Sequence, residues 1–127
     1  MIGGKFMNNS SIRLDGKKIL ITGVSRPLGI GATLAKRFAQ AGAAVAVHGF
    51  SDYDLTVGEH NSAMPGGTEF LTKKYQGLGL NVTAVTSSDL EKPGNAEKAV
   101  DEAVEKLGEL DGLILNHCYG VTEEIGQ

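Results

Sequence analysis

The sequence predicts an α/β fold in which a doubly wound parallel sheet of about four strands has the strand order 3-2-1-4. Short apolar runs alternate with amphipathic helical stretches along the chain of 127 residues. Strands that are joined by helical crossovers are parallel, and the crossovers are right-handed. The predicted strands lack polar alternation, which is typical of a sheet covered by helices on both faces.

The first half of the chain contributes two predicted strands with a helix between them. The strands are Lys18–Thr22 and Ala44–His48, which are both short and rich in apolar residues. The helix covers Ala32–Ala41, and Gly42 follows it directly, where a glycine commonly ends a helix. The side chains expected on its core face are Leu34, Ala35, Phe38 and Ala39.

A long loop over residues 49–67 separates the second strand from the next predicted helix, Thr68–Gln76. Loops of this length are usually functional or disordered. Thr68 is the predicted N-cap of the helix, because a threonine hydroxyl can accept a hydrogen bond from its first turn. The side chains expected to face the core are Phe70, Leu71 and Tyr75. The third strand is predicted over Asn81–Thr86.

The strongest helical pattern lies over Asn95–Leu107, where apolar residues recur at spacings of three and four. Asn95 is its predicted N-cap, and Gly108 is expected to end it. Gly112–Asn116 is predicted as the fourth strand.

Composition and charge narrow the class of protein. The net charge of −3 and the isoelectric point near 5.6 do not suggest a nucleic-acid partner, since such domains usually carry a basic face. The apolar runs are too short for a membrane span, and the N-terminus has no apolar signal segment. With Cys118 as the single cysteine, a reduced cytoplasmic protein is expected. No metal site is predicted, because the spacing of Asp52, Asp54, Glu59 and His60 matches no ligand framework.

The segment TGVSRPLGIG, residues 22–31, follows the first strand and opens the first helix. Gly23 allows a sharp turn off the strand, while Gly29 and Gly31 leave room for a pyrophosphate or for close packing of helix on sheet. The N–H groups at the start of the helix attract an anion with a free energy of about 1 kcal/mol or somewhat more. A glycine-rich turn without a ligand is the alternative.

The same segment, within RLDGKKILITGVSRPLGIG, resembles the opening of the short-chain dehydrogenase/reductases. SSDL at 87–90 resembles the turn by which that family holds adenine, and LDGLILNH at 110–117 resembles its fourth strand. NHCY at 116–119 stands where the family has N-N-A-G. The resemblance implies a tail over residues 1–12, a dinucleotide-binding Rossmann half-domain over 13–120 and a tail over 121–127.

Two features depart from the usual family pattern. Five residues, instead of three, separate Gly23 from Gly29, which is similar to the enoyl reductase-like and 3-oxoacyl-acyl-carrier-protein reductase-like subgroups with a long glycine loop. In NHCY, His117, Cys118 and Tyr119 replace the family's Asn, Ala and Gly.

The resemblance implies NADP as the cofactor, with NAD as the alternative. The end of the second strand offers no carboxylate for the ribose hydroxyls before Asp52, and Arg26 matches the basic residue of NADPH-preferring members. On a flexible loop, Asp52 or Asp54 could still serve NAD. The implied cofactor-binding residues are Gly23, Ser25, Arg26, Leu28, Gly29, Ile30, Gly31, Gly49, Phe50, Ser51, Ser88, Asp89, Leu90, Asn116, His117 and Cys118.

In the family, hydride transfer to a carbonyl needs a Ser and a Tyr-x-x-x-Lys, which lie in elements after the fourth strand. Neither Tyr53, Tyr75 nor Tyr119 is followed by a lysine four positions later, so no catalytic residue is assigned. The chain is therefore expected to be a truncated, inactive cofactor half of a reductase. The fourth strand would then have a bare edge, which a homo-oligomer or a C-terminal half would cover. The alternative is a stand-alone nucleotide-binding or pseudoenzyme module that acts through a partner.

Overall fold

The computed structural model describes residues 12–25, 29–50 and 67–117. Four strands and three helices alternate in this part of the chain. They are β1 (Lys18–Ile21), α1 (Ile30–Gln40), β2 (Ala44–Val47), α2 (Gly67–Gly77), β3 (Val82–Ala84), α3 (Asn95–Leu107) and β4 (Gly112–Ile114). The strand order is β3-β2-β1-β4, and every pair is parallel, as the sequence predicts.

Helices cover both faces of the sheet, which confirms the doubly wound architecture. On one face, Ile19, Ile21, Val45 and Val47 pack with buried residues of α1 and α2 in one apolar cluster. On the other face, Leu20 and Ala46 pack with Ala99 and Ala103 of α3. The alternation along β1 therefore divides its side chains between two cores.

The first helix begins at Ile30, two residues earlier than its apolar pattern predicts. Gly29 precedes it in extended conformation, with φ −80° and ψ 165°, and no side chain caps the helix. The helix ends as expected, since Gly42 has a φ of 107° that favours glycine.

Three expectations about α2 and α3 are wrong. Phe70 is 50% exposed, whereas Leu71 and Tyr75 are buried as expected. Thr68 lies inside α2, which begins at Gly67, and its hydroxyl donates to the carbonyl of Val24. The N-cap of α3 is Gly94, while the amide of Asn95 donates to the Asp89 carbonyl at 2.9 Å. For Thr68, a contact with a segment 44 positions away replaces the local cap, and for Asn95 a bond to the turn before the helix replaces it.

The end of α3 at Leu107 and the positive φ of Gly108 agree with the prediction. Most of the long loop that was predicted over residues 49–67 lies outside the described residues. None of the described helices is long and apolar enough to cross a bilayer.

Candidate functional site

The carboxyl ends of β1 and β4 meet at Thr22, a buried residue directly after β1. Its Oγ1 accepts the backbone N–H groups of Asn116, at 3.0 Å, and His117, at 3.2 Å. The same oxygen lies 2.8 Å from Nδ1 of His117 and 3.4 Å from the carbonyl of Ile114. The shorter distance favours a hydrogen bond between the Thr22 hydroxyl and Nδ1 of His117 over one to the Ile114 carbonyl.

Gly23 and Gly31 bring the turn after β1, the start of α1 and the segment after β4 into close contact. A Cβ on Gly23 would lie 2.9 Å from the backbone of Asn116 and His117, and its φ of 77° also favours glycine. A Cβ on Gly31 would lie 2.6 Å from the Gly23 carbonyl and 2.7 Å from Nδ2 of Asn116. That amide donates to the Gly23 carbonyl at 3.2 Å. Gly31 therefore allows close packing, which is one of the two purposes the sequence suggested for it, and Gly23 adopts the backbone conformation that a turn off the strand requires.

The N-terminus of α1 lies beside this contact. The N–H groups of Ile30, Gly31 and Ala32 are in its first turn, where the helix itself supplies no acceptors. Gly29 supplies no side-chain cap, and the first turn contains no acidic residue, so neither the N-cap nor the first turn neutralises the positive end of the helix dipole. This arrangement lies beside the carboxyl ends of β1 and β4, where the order of the strands in the sheet reverses, and it suits a phosphate group.

The carboxyl end of β2 is tightly packed and carries no carboxylate among the described residues. Gly49 is buried, and a Cβ there would lie 2.7 Å from the Val24 carbonyl and 3.2 Å from Cβ of Ser25. Phe50 is half-buried at the end of the described segment. Thr68 of α2 is also in contact here, through its hydrogen bond to Val24.

The segment after β3 forms a compact turn at Asp89. Its Oδ1 accepts the N–H of Glu91 at 3.0 Å, and its carbonyl accepts the N–H of Lys92 at 3.1 Å. Asn95, at the start of α3, donates to the same carbonyl. Ser88, Asp89 and Leu90 are each half-buried and therefore partly accessible from this end of the sheet.

His48 connects the β2 end to that turn. Its Nε2 lies 3.0 Å from the carbonyl of Ser88 and 3.1 Å from the Ser88 hydroxyl. Burial lowers the pKa of the His48 imidazole from 6.5, because the charged form would lose its hydration, although the hydrogen bond to Ser88 acts in the opposite direction. The ring is therefore neutral at physiological pH.

Twelve of the sixteen residues that were expected to hold a cofactor lie in the described part of the chain. They lie at the carboxyl ends of the four strands or in the first turn of α1. Arg26, Leu28, Ser51 and Cys118 lie outside the described residues.

Three residues that hold these segments together are not among the site residues predicted from the sequence, namely Thr22, His48 and Thr68. The T-G pair after β1 was a signal for Thr22. No local pattern indicates the bonds of His48 and Thr68, because their partners lie 40 and 44 positions away in the sequence.

Within the described segments, no three His, Cys, Asp or Glu side chains are grouped closely enough to hold a metal ion. Tyr75 also lacks the features of an acid catalyst. Its hydroxyl is buried and donates to the Ala32 carbonyl at 3.2 Å, and burial raises its pKa above 10.

Comparison with known proteins agrees with this geometry. Residues 17–125 match the family described as short chain dehydrogenase. The chain is 32% identical over 110 residues to a glucose 1-dehydrogenase of Gluconobacter oxydans, covering 86% of this chain and 35% of that protein. It is 31% identical over 103 residues to an NADP-dependent mannitol dehydrogenase of Hypocrea jecorina, covering 81% of this chain and 34% of the relative.

The fold is similar to that of a hydroxysteroid dehydrogenase from Escherichia coli, with a TM-score of 0.71 and 29% identity. That match covers 94% of this chain and 44% of the solved one. The chain spans about a third of the length of the curated relatives described above, at 35% and 34%. The strand order, the glycine turn and these similarities together establish that the chain belongs to the short-chain dehydrogenase family.

Proposed function

We propose that this chain is the NADP(H)-binding part of a short-chain oxidoreductase whose complete form transfers a hydride to a carbonyl, of the 3-oxoacyl type or similar. The observation that carries the proposal is the uncapped first turn of α1, with Gly29 in front of it and Asn116 beside it. In this proposal the N–H groups of Ile30 and Gly31 hold the pyrophosphate. Ser88, Asp89 and Leu90 hold the adenine, and Asn116 and His117 lie on the nicotinamide side.

When it is bound, NADPH would supply the hydride. The chain's own residues would bind and orient it, with Gly23 and Gly31 keeping the turn close to β4. The remaining positions expected from the sequence complete the proposed site, namely Ser25, Arg26, Leu28, Gly49, Phe50, Ser51 and Cys118.

The preference for NADP over NAD is inferred from charge. His48, Gly49 and Phe50 offer no carboxylate to repel a 2′-phosphate at the end of β2, and Arg26 in the glycine loop would attract one. A charge-assisted hydrogen bond of about 1.5–3 kcal/mol corresponds to a preference of roughly 10- to 150-fold. A relative whose name includes NADP, the mannitol dehydrogenase, supports this choice.

Calorimetric titration of the purified chain with NADPH and NADH tests both parts of the proposal. We expect NADPH to bind more tightly, and Arg26→Gln to remove most of that preference while leaving the affinity for NADH unchanged. Lys36→Gln, in the middle of α1, is the matched control and should change neither affinity. A folded chain that binds neither cofactor at millimolar concentration contradicts the proposed function, and equal affinities in the unmodified chain contradict only the NADP preference.

We also propose that the 127-residue chain has no turnover by itself, since it lacks the Ser and the Tyr-x-x-x-Lys that the family uses. Carbonyl-reductase activity of the purified chain would contradict this. The division at residues 13–120, the long-glycine-loop subgroup and the cytoplasmic location remain predictions from the sequence.

A second candidate is a nucleotide-binding or pseudoenzyme module that associates with itself or with a partner. It is favoured by the exposed apolar side chains of Leu113 and Leu115 at β4, a strand that pairs only with β1 among the described strands. Sedimentation velocity tests it, with Leu115→Lys as the variant and Leu78→Lys, an equally apolar and exposed position after α2, as the control. Self-association that Leu115→Lys abolishes and Leu78→Lys leaves intact supports this candidate, and a monomer at all concentrations contradicts self-association.

A further inference from the structure

His48 is bonded to three of the segments that form the proposed nucleotide site. Its backbone N–H donates to the Ile21 carbonyl of β1 at 2.9 Å, and its carbonyl accepts the N–H of Val24 in the glycine turn at 2.9 Å. Its ring reaches Ser88, in the turn after β3. One buried residue thus connects β1, the start of the glycine loop and the turn expected to hold adenine.

The contacts of Nε2 favour one tautomer of the ring. Nε2 lies 3.0 Å from the Ser88 carbonyl, which can only accept, and 3.1 Å from the Ser88 hydroxyl, which can accept or donate, so a proton on Nε2 satisfies both contacts. In that tautomer, Nδ1 is the unprotonated nitrogen of a neutral imidazole. It is buried, and it has no hydrogen-bond partner among the residues that the structure describes.

Burying such a ring costs free energy. The side chain is 1% exposed, and an unsatisfied polar atom in that position is unfavourable compared with an aliphatic side chain of similar size. The neighbouring positions of β2 are all Ala or Val. The hydrogen bond to Ser88 is the contact that an aliphatic residue at position 48 could not make.

Among the described residues, Ser88 makes no hydrogen bond to the sheet other than those to His48. The hydrogen bonds of Asp89 run forward to Glu91, Lys92 and Asn95, and therefore hold the turn to α3. The ring of His48 holds Ser88 to β2 by a hydrogen bond across 40 positions of sequence, while Leu90 packs against the cluster that contains Leu20 and Ala46. Without the ring, Ser88 would lose its hydrogen bond to the sheet and could shift relative to Gly23 and Val24, while α3 and the apolar contact of Leu90 stay in place.

We propose that His48 is a positioning residue for the cofactor, which fixes the Ser88–Leu90 turn at the correct distance from the glycine loop so that the adenosine half of the nucleotide fits. This inference rests on the proposed function and adds a residue to it. His48 does not touch the ligand in this role, and it acts through Ser88.

Two isosteric variants separate positioning from packing. In His48→Gln, the amide nitrogen can occupy the place of Nε2 and donate to Ser88, whereas in His48→Asn it occupies the place of Nδ1 and cannot reach. Each variant is titrated by calorimetry with adenosine 2′,5′-bisphosphate and, separately, with nicotinamide mononucleotide. We expect His48→Asn to weaken the adenosine ligand about tenfold and the mononucleotide hardly at all, while His48→Gln stays within about threefold of the unmodified chain for both.

The outcomes distinguish this inference from the proposed function. If the unmodified, folded chain binds neither NADPH nor NADH, the proposed function fails and the inference fails with it. If the unmodified chain binds and His48→Asn weakens both ligands equally, or neither, only the role of His48 is overturned.

A measurement on the unmodified chain covers the case in which His48→Asn does not fold. Nitrogen-15 NMR of the imidazole at pH 8 should show a proton on Nε2 and none on Nδ1 of His48. A proton on Nδ1 instead would mean that the bond to the Ser88 carbonyl does not form, and would overturn the inference.

Discussion

β2 and β4 flank the same strand, β1, but their surroundings differ. All four residues of β2 are buried, and the strand pairs with β1 on one side and β3 on the other. β4 pairs with β1 alone among the described strands, and Leu113 within it is 44% exposed. Leu115, just after it, is 67% exposed.

The comparison shows that the described residues bury β2 completely and β4 only in part. Leu20 of β1 and Leu113 of β4 are register partners, yet Leu20 is 1% exposed because α3 covers it. Parallel strands are normally buried on both faces, and β4 is apolar as such a strand is, but the described residues leave part of it exposed.

Replacing each of the two register partners, Leu20 and Leu113, by alanine should give the largest difference in the free energy of unfolding. Leu20→Ala should lower the free energy of unfolding by about 3 kcal/mol, because it removes buried methyl groups and leaves a cavity. Leu113→Ala should cost roughly 1 kcal/mol or less, since part of that side chain is already in water. Urea unfolding monitored by circular dichroism measures both. Equal losses would mean that the outer part of β4 is covered in solution, and a concentration series would then show whether a second copy covers it.

Two glycines, one just after β2 and one in β4, should give a smaller difference in stability when each is replaced by alanine. Gly49→Ala should cost about 2 kcal/mol, because its Cβ would lie 2.7 Å from the Val24 carbonyl. Gly112→Ala in β4 should be tolerated to within about 0.5 kcal/mol, because the nearest atom to its Cβ would be Cγ1 of Ile19 at 3.7 Å. Thermal unfolding of both variants measures the two losses of stability. If Gly112→Ala were as damaging as Gly49→Ala, close packing would not distinguish the two strands.

Acid should lower the free energy of unfolding by a still smaller amount, through His48 at the carboxyl end of β2. Because the pKa of folded His48 lies below the 6.5 of an exposed imidazole, the unfolded chain binds more protons in between. The stability this residue contributes is complete above about pH 6.5 and is lost as the pH falls toward the folded value. His117 and Glu102 also act on this ring, with His117 lowering its pKa and Glu102 raising it.

The measurement is the urea midpoint between pH 8 and pH 5, with His48→Gln as the comparison. The unmodified chain should lose stability over this range more steeply than the variant, which has no titrating ring at position 48. Identical profiles would show that His48 is not buried in its neutral form.

The sequence predicted most of the fold because much of it is encoded locally. The spacing of apolar residues in α3 gave both of its boundaries, Asn95 and Leu107, and Gly42 and Gly108 marked helix ends through their backbone freedom. The caps were predicted less well. Thr68 and Asn95 have the right side chains for capping, but Thr68 donates to the Val24 carbonyl and Asn95 to the Asp89 carbonyl in the turn before the helix. For Thr68, the propensity of a single position is weak compared with a buried tertiary hydrogen bond.

The amino-acid sequence by itself determined the order of strands and helices, the glycine turn after β1 and the family, because periodicity and motif spacing are local properties. Tertiary structure decided which side chains hold the candidate site together. Thr22 joins β1 to the segment after β4, His48 joins β2 to Ser88, and Thr68 joins α2 to Val24. These contacts connect residues at least 40 positions apart, so they exist only once the sheet has brought the carboxyl ends of its strands together.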